Sequence, residues 1–364
     1  MIIIIICIFL IKRFLSVRSP LSAQTATPAA LSHTQSSLAG RRIAGIIPCL
    51  LLLALICLAS LMLGARAIAP EVVWHSLTGN LQGPDSTIIL QARLPRTLAG
   101  ILVGMALGAA GAVMQALTRN PLADPGILGV NAGASFAIVL GISFFGITGM
   151  ASWLGFAWLG VLAASLMVWI IGTLSGGRVN PIRLTLAGVA LSAVLSGFTS
   201  SLSLLNPLAF DQLRLWEAGT LDIRSLGNVA WVTPTVLLGC ALAFFAARSL
   251  NTLSMGEDLA TALGTRVALI RVIAMLSVML LCGSATALAG PIGFVGLMIP
   301  HIARGWAGPD QRWILIYSLL FAPILLLGAD IAGRLLVPGE LRVSIVTAFI
   351  GAPVLIWLVR QRKS

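Results

Sequence analysis

Eight apolar stretches of this chain run for 17 residues or more without an Asp, Glu, Lys or Arg: 43–65, 97–118, 125–177, 184–210, 225–247, 272–303, 313–329 and 343–359. A helix needs about 20 apolar residues to cross a hydrocarbon layer of roughly 30 Å. Only helices and closed barrels satisfy every backbone group inside lipid, and runs of this length and apolarity predict helices. The 125–177 interval has room for two spans, with a break near Gly146–Ser152. The 272–303 interval would be about 48 Å long as one helix, so a break is expected at Ala289-Gly290-Pro291-Ile292-Gly293, leaving a long and a short helix. The expectation is an all-α integral membrane protein of about ten transmembrane helices. Composition agrees: 9% of 364 residues are charged and 58% are hydrophobic, more apolar surface than a soluble domain can hide.

Lys and Arg give the orientation. With the N-terminus inside, 16 of the 23 basic residues fall on the inner side, as the positive-inside bias requires. An even number of spans then returns the C-terminus to the same side. The net charge of +12 lies between the apolar runs rather than on one basic helix, so it reports orientation and not nucleic-acid binding. The expected division is a variable cytoplasmic tail over 1–42, a transmembrane domain over 43–360 and a cytoplasmic end over 361–364. Ile2–Ile11 is too short to span, and its basic residues follow the apolar run, the reverse of a signal peptide.

Several function classes lack their residues. A proton-coupled carrier needs ionisable groups within its spans; the intervals leave almost none, and Asp330 is expected at a helix end. A TVGYG filter is absent. A phosphate-binding P-loop needs a lysine after a glycine-rich turn, yet Lys12 and Lys363 are the sole lysines and neither follows a glycine. Leu174-Ser175-Gly176-Gly177-Arg178 reads as a glycine-rich inner turn. The five cysteines form no CxxC pair, and His33, His75 and His301 have no metal spacing. Neither a cofactor nor a protein-bound metal is expected. An electrically bland path needs a partner for its energy.

Five ordered blocks carry a resemblance. They are Arg93-Leu94-Pro95-Arg96; Arg119 to Gly126 with Leu128 to Ala134; Leu253 to Asp258 with Ala260, Leu263 and Gly264; Gly290 to Leu297 with Pro300 to Arg304; and Gly328-Ala329-Asp330, Arg334, Glu340 and Gly351-Ala352-Pro353. Over roughly 43–360 the chain resembles the iron-siderophore and vitamin B12 permease family of ABC importers, the FecCD type. Further shared stretches, such as Gln91–Gly100, Leu117–Leu140 and Val337–Val354, imply a ferric catecholate siderophore, ferric enterobactin or a relative, as cargo. A vitamin B12 or haem permease is the alternative within the family. The resemblance also implies two cytoplasmic ATPase subunits, a periplasmic siderophore-binding protein and a second permease subunit, similar or identical. The location implied is a bacterial inner membrane.

Particular residues acquire expected roles from this resemblance. Arg93, Arg96 and Arg334 lie on the outer side, and their matches in the family meet acidic residues of the binding protein. Exposed guanidinium groups suit carboxylates, although anchoring at lipid headgroups is the commoner role of such arginines. Ser254, Met255, Gly256, Glu257 and Asp258 read as a helix start with acids in its first turn, and Gly264 as its stop. With Ala260 and Leu263 they match the cytoplasmic coupling helix between spans 6 and 7; an amphipathic helix resting on the membrane is the plainer reading. Gly104, Gly108 and Gly111 have the spacing of helix packing, with pore lining second. Asn120, Pro121, Gly290, Pro291 and Gly293 share that packing or pathway assignment.

Overall fold

A computed structural model of the chain describes residues 40, 42–64, 66–79, 83–173, 181–337 and 339–361. The 174–178 turn and nearly all of the 1–42 and 361–364 tails lie outside them. The helices are α1 Ile46–Met62, α2 Pro70–Leu77, α3 Pro84–Ile88, α4 Leu94–Thr118, α5 Val130–Phe145, α6 Met150–Thr173, α7 Pro181–Leu205, α8 Pro207–Glu217, α9 Leu226–Ser254, α10 Glu257–Ala262, α11 Val267–Ala289, α12 Val295–Ala307, α13 Gln311–Leu336 and α14 Val343–Gln361.

Among the described residues, seven helices are long and apolar enough to cross a membrane: α1, α4, α6, α7, α9, α11 and α13. The other three expected spans form shorter helices. α5 and α14 are apolar but short, and α12 has 13 residues. Both expected breaks occur. Gly146 stops α5 at φ +60. Gly290 stops α11 at φ +74, with Pro291 immediately after it.

Helix α4 is the axis of the bundle. Within an apolar 18-residue stretch of each, 78% of the residues are buried in Pro84–Thr118, against 17% in Ile182–Leu205 and 11% in Arg42–Met62. α4 packs against α13, α11, α9 and α12, and its glycines permit the approach. A Cβ on Gly104 would stand 2.6 Å from the Pro323 backbone, one on Gly108 2.6 Å from the Ser318 carbonyl, and one on Gly111 1.9 Å from the Gly296 carbonyl. Dispersion at close backbone contact replaces the hydrophobic drive that lipid cannot supply. These three glycines therefore sit at close helix contacts.

Polar side chains tie the helices at both ends of the bundle. At the end carrying the start of α1, Tyr317 is fully buried and its hydroxyl donates to the Arg42 carbonyl at 2.6 Å. Arg42 donates to the Ala307 carbonyl at 2.7 Å and lies over the Trp313 ring. Asn251 joins α9 to α13, donating to Asp310 at 2.9 Å and accepting from the Gln311 N–H at 2.8 Å.

Candidate docking ends and translocation pathway

At the opposite end of the bundle, α1 stops and α4 begins. A single π-turn, Ile89–Arg93, joins α3 to α4 in one continuous helical run, and Pro95 follows it directly. Arg93 turns back onto the open carbonyls closing α1, donating to Leu61 at 2.7 Å, to Met62 at 2.8 Å and to the Arg66 carbonyl. Free carbonyls and the negative end of the helix dipole make that a cation site. Arg96 grips Asp330 with two nitrogens, at 3.0 and 2.9 Å, and reaches Glu340 at 2.8 Å. Arg334, one turn after Asp330, pairs with it at 3.1 Å and donates to the carbonyls of Ser60 and Leu63.

Two expectations are corrected here. The guanidinium groups of Arg93, Arg96 and Arg334 are buried, each residue 8% exposed or less. They clasp α1, α4 and α13 together instead of standing free at the surface. Asp330 lies six residues before the end of α13 and is 1% exposed. Two arginines compensate its charge, which is why it can be buried. The accessible cations at this end are others. Arg66, paired with Asp85, is 67% exposed, and Arg224, paired with Asp222, is 76% exposed. Hydrogen bonds from Arg224 to Asp222 push its pKa up, so it is charged at any physiological pH.

At the end carrying the start of α1, α9 and α11 are joined by the short helix α10. Ser254 belongs to the last turn of α9, so the helix expected to start there begins at Glu257. Gly256 makes the corner at φ +120, and Gly264 leaves at φ +80. Glu257 and Asp258 occupy the first turn, as expected. The apolar residues divide between two sides. Leu253 and Ala260 are buried against the bundle, while Met255, Leu259 and Leu263 are exposed.

Asn120 terminates α4 beside Arg119, which takes the left-handed conformation at φ +52, and the Asn120 side chain accepts from the Leu122 N–H at 3.0 Å. Pro121 then prevents continuation. Gly290 approaches the Trp216 carbonyl too closely for a Cβ, whereas Gly293 has open space. Pro291 lines a cavity of about 440 Å³ together with Gly126, Asn131, Ala132, Ser135, Ser192, Ser196 and Glu217. Buried Ser135 on α5 donates to the Glu217 carboxylate at 2.8 Å. Asn131, Ser196 and Glu217 are exposed. An amide or carboxylate facing lipid is costly, so this wall suits water or cargo. Sequence reasoning missed these residues. Asn131 stood within a quoted block, and its polarity inside a charge-free interval was the available signal. The outer groove on α14, lined by Ser344, Ile345, Ala348, Phe349, Ala352, Pro353 and Ile356, is almost wholly apolar.

Comparison with known proteins agrees across nearly the whole chain. The profile of the FecCD transport family matches residues 4–361. The chain is 58% identical over 317 residues to the ferric enterobactin transport system permease protein FepD of Escherichia coli (strain K12), covering 87% of this chain and 95% of that one. It is 39% identical over 324 residues to the iron(3+)-hydroxamate import system permease protein FhuB of Bacillus subtilis (strain 168), covering 85% of this chain and 82% of that one. Its fold matches an inward-facing metal-chelate-type ABC transporter at TM-score 0.75 and 28% identity, covering 88% of this chain and 99% of the other.

Proposed function

The chain belongs to the FecCD transport family, as a multi-pass permease subunit of a bacterial ABC importer, and on that premise we propose that its cargo is a ferric catecholate siderophore, ferric enterobactin first. The observation that carries this reading is the gap between 58% identity to an enterobactin permease and 39% to a hydroxamate permease. The chain itself contributes a path, and ATP is hydrolysed on partner subunits.

In this reading residues 43–360 form a ten-span membrane domain with both ends in the cytoplasm. The seven long helices, with α5, α12 and α14, supply the spans. The excess of Lys and Arg near Arg42, Arg119 and Arg304 makes that end cytoplasmic. The end holding Asp330 then faces the periplasm.

The periplasmic binding protein docks on that outer end. Arg66 and Arg224 offer accessible charge to its carboxylates, while Arg93, Arg96 and Arg334 hold the platform together and contribute directly only if docking opens their clasp. At the inner end, the exposed Met255, Leu259 and Leu263, in and beside α10, insert into the ATPase subunit. The hydroxyl- and amide-lined wall from Ser135 to Ser196 faces the moving cargo. One copy encloses too little of a bulky chelate, so a second permease subunit, similar or identical, completes the path. Closure of the ATPases on ATP shifts the population between outward and inward access.

The test is uptake of radiolabelled ferric enterobactin in a strain lacking its own copy of this permease, supplied with the binding protein, partner permease and ATPase. Uptake that depends on this chain and stops with an inactive ATPase is the expected result. Uptake driven by a proton gradient alone would overturn the mechanism. Transport of haem or vitamin B12 in place of the catecholate would overturn the cargo.

A further inference from the structure

The loop between α9 and α11 holds a carboxylate shared by two arginines. Glu257, the first residue of α10, accepts from Arg119 Nη2 at 3.2 Å and from Arg271 Nη2 through the same Oε1. The three come from different parts of the bundle. Arg119 caps the C-terminus of α4, and Arg271 lies in the second turn of α11. The Arg271 side chain is 7% exposed, and Glu257 is the only carboxylate at ion-pair distance from it among the described residues. Its Nε is buried without a hydrogen-bond partner. Removing Glu257 would therefore leave a buried cation uncompensated.

We infer that Glu257 is a positioning residue, a three-way ionic joint that fixes α10 to the ends of α4 and α11 and carries its displacement into the bundle. The inference rests on the reading of α10 as the element that meets the ATPase, and it goes beyond that reading by turning Glu257 inward. Met255, Leu259 and Leu263, in and beside α10, are exposed and are left for the ATPase. Helix α4 is the most deeply packed long span, so movement delivered to Arg119 reaches α13, α9 and α12 through direct contact. The left-handed turn at Arg119 ends α4 abruptly and brings its guanidinium back toward α10. A packed helix transmits such a push because its neighbours cannot compress. Gly256 and Gly264, both at positive φ with open space around them, are the corners about which α10 turns.

The experiment uses the whole importer in proteoliposomes, with binding protein and ferric enterobactin, and reads ATP hydrolysed per chelate transported. In Glu257→Gln the ATPase still co-purifies with the permease, and the ATP-to-cargo ratio rises about tenfold, within the range of ordinary coupling free energies. Reversing all three charges, Glu257→Arg with Arg119→Glu and Arg271→Glu, restores the ratio, which a general loss of packing would not allow. An unchanged ratio in Glu257→Gln overturns the inference. Loss of the ATPase from that variant also overturns it, because Glu257 would then be a contact and not a joint. The underlying reading is tested separately: Leu263→Asp and Met255→Asp release the ATPase if α10 is the docking element. If both retain it, that reading fails whatever Glu257 does.

Discussion

Arg96 and Asp330 are 234 residues apart in sequence and form a two-pronged ion pair, at 2.9 and 3.0 Å, with the Asp330 side chain 1% exposed. The pair joins the start of α4 to the last turns of α13. Arg334 shares the carboxylate, and Glu340 offsets part of the second positive charge. The outer platform is thus held by an ionic network with hydrogen bonds on nearly every arm.

Asp330→Asn should strip buried Arg334 of its counter-charge and leave Arg96 with the more exposed Glu340 alone. Breaking a buried pair from one side costs about 3–5 kcal/mol. The midpoint of thermal unfolding of the detergent-purified importer is expected to fall sharply. Arg66→Ala, which removes a surface pair, should stay within about 0.5 kcal/mol of the parent.

Gly111→Ala places a methyl group 1.9 Å from the Gly296 carbonyl, so α4 and α12 must separate. Overpacking of this kind costs about 1–3 kcal/mol. Gly197→Ala on α7 is the control, since a Cβ there meets nothing within 4 Å, and alanine gains up to about 1 kcal/mol in helix propensity. Membrane-fraction abundance and unfolding midpoints should separate the two variants.

Ser196→Trp should fill the polar cavity from its exposed side. Cargo uptake is expected to drop toward background while the binding protein still stimulates ATP hydrolysis, because docking lies elsewhere. Equal loss of both activities would instead place Ser196 in the assembly interface.

Arg66→Glu combined with Arg224→Glu should weaken binding-protein docking. Accessible charges act through screened attraction, so the defect should be large at low ionic strength and shrink as salt rises. Titration of the binding protein against ATPase stimulation at two salt concentrations measures it. A salt-independent defect would point to the buried clasp around Arg93 instead.

Much of the architecture was legible because lipid imposes a simple rule. Charge-free length marked where helices lie, and Gly146 and the Gly290-Pro291 pair marked the breaks, since backbone conformation at those residues is a local property. Side-chain exposure was not legible. Arg93 and Arg96 read as surface cations because nothing in their own neighbourhoods reveals Asp330 or the open carbonyls after Ser60, and Arg334, though one turn after Asp330, is buried only because α1 packs over it. Glu257 read as a coupling residue, yet its partners lie 138 residues before it and 14 after.

The sequence by itself determined a membrane protein, the positions of its seven long helices and the family, because hydrophobic length and ordered motifs are written along one dimension. Tertiary structure alone decided which helix is central, which arginines are hidden and which polar residues share a cavity. Those properties depend on distances between segments hundreds of residues apart. Asp330 can be buried only because α4 delivers Arg96 to it, and the folded bundle sets that meeting.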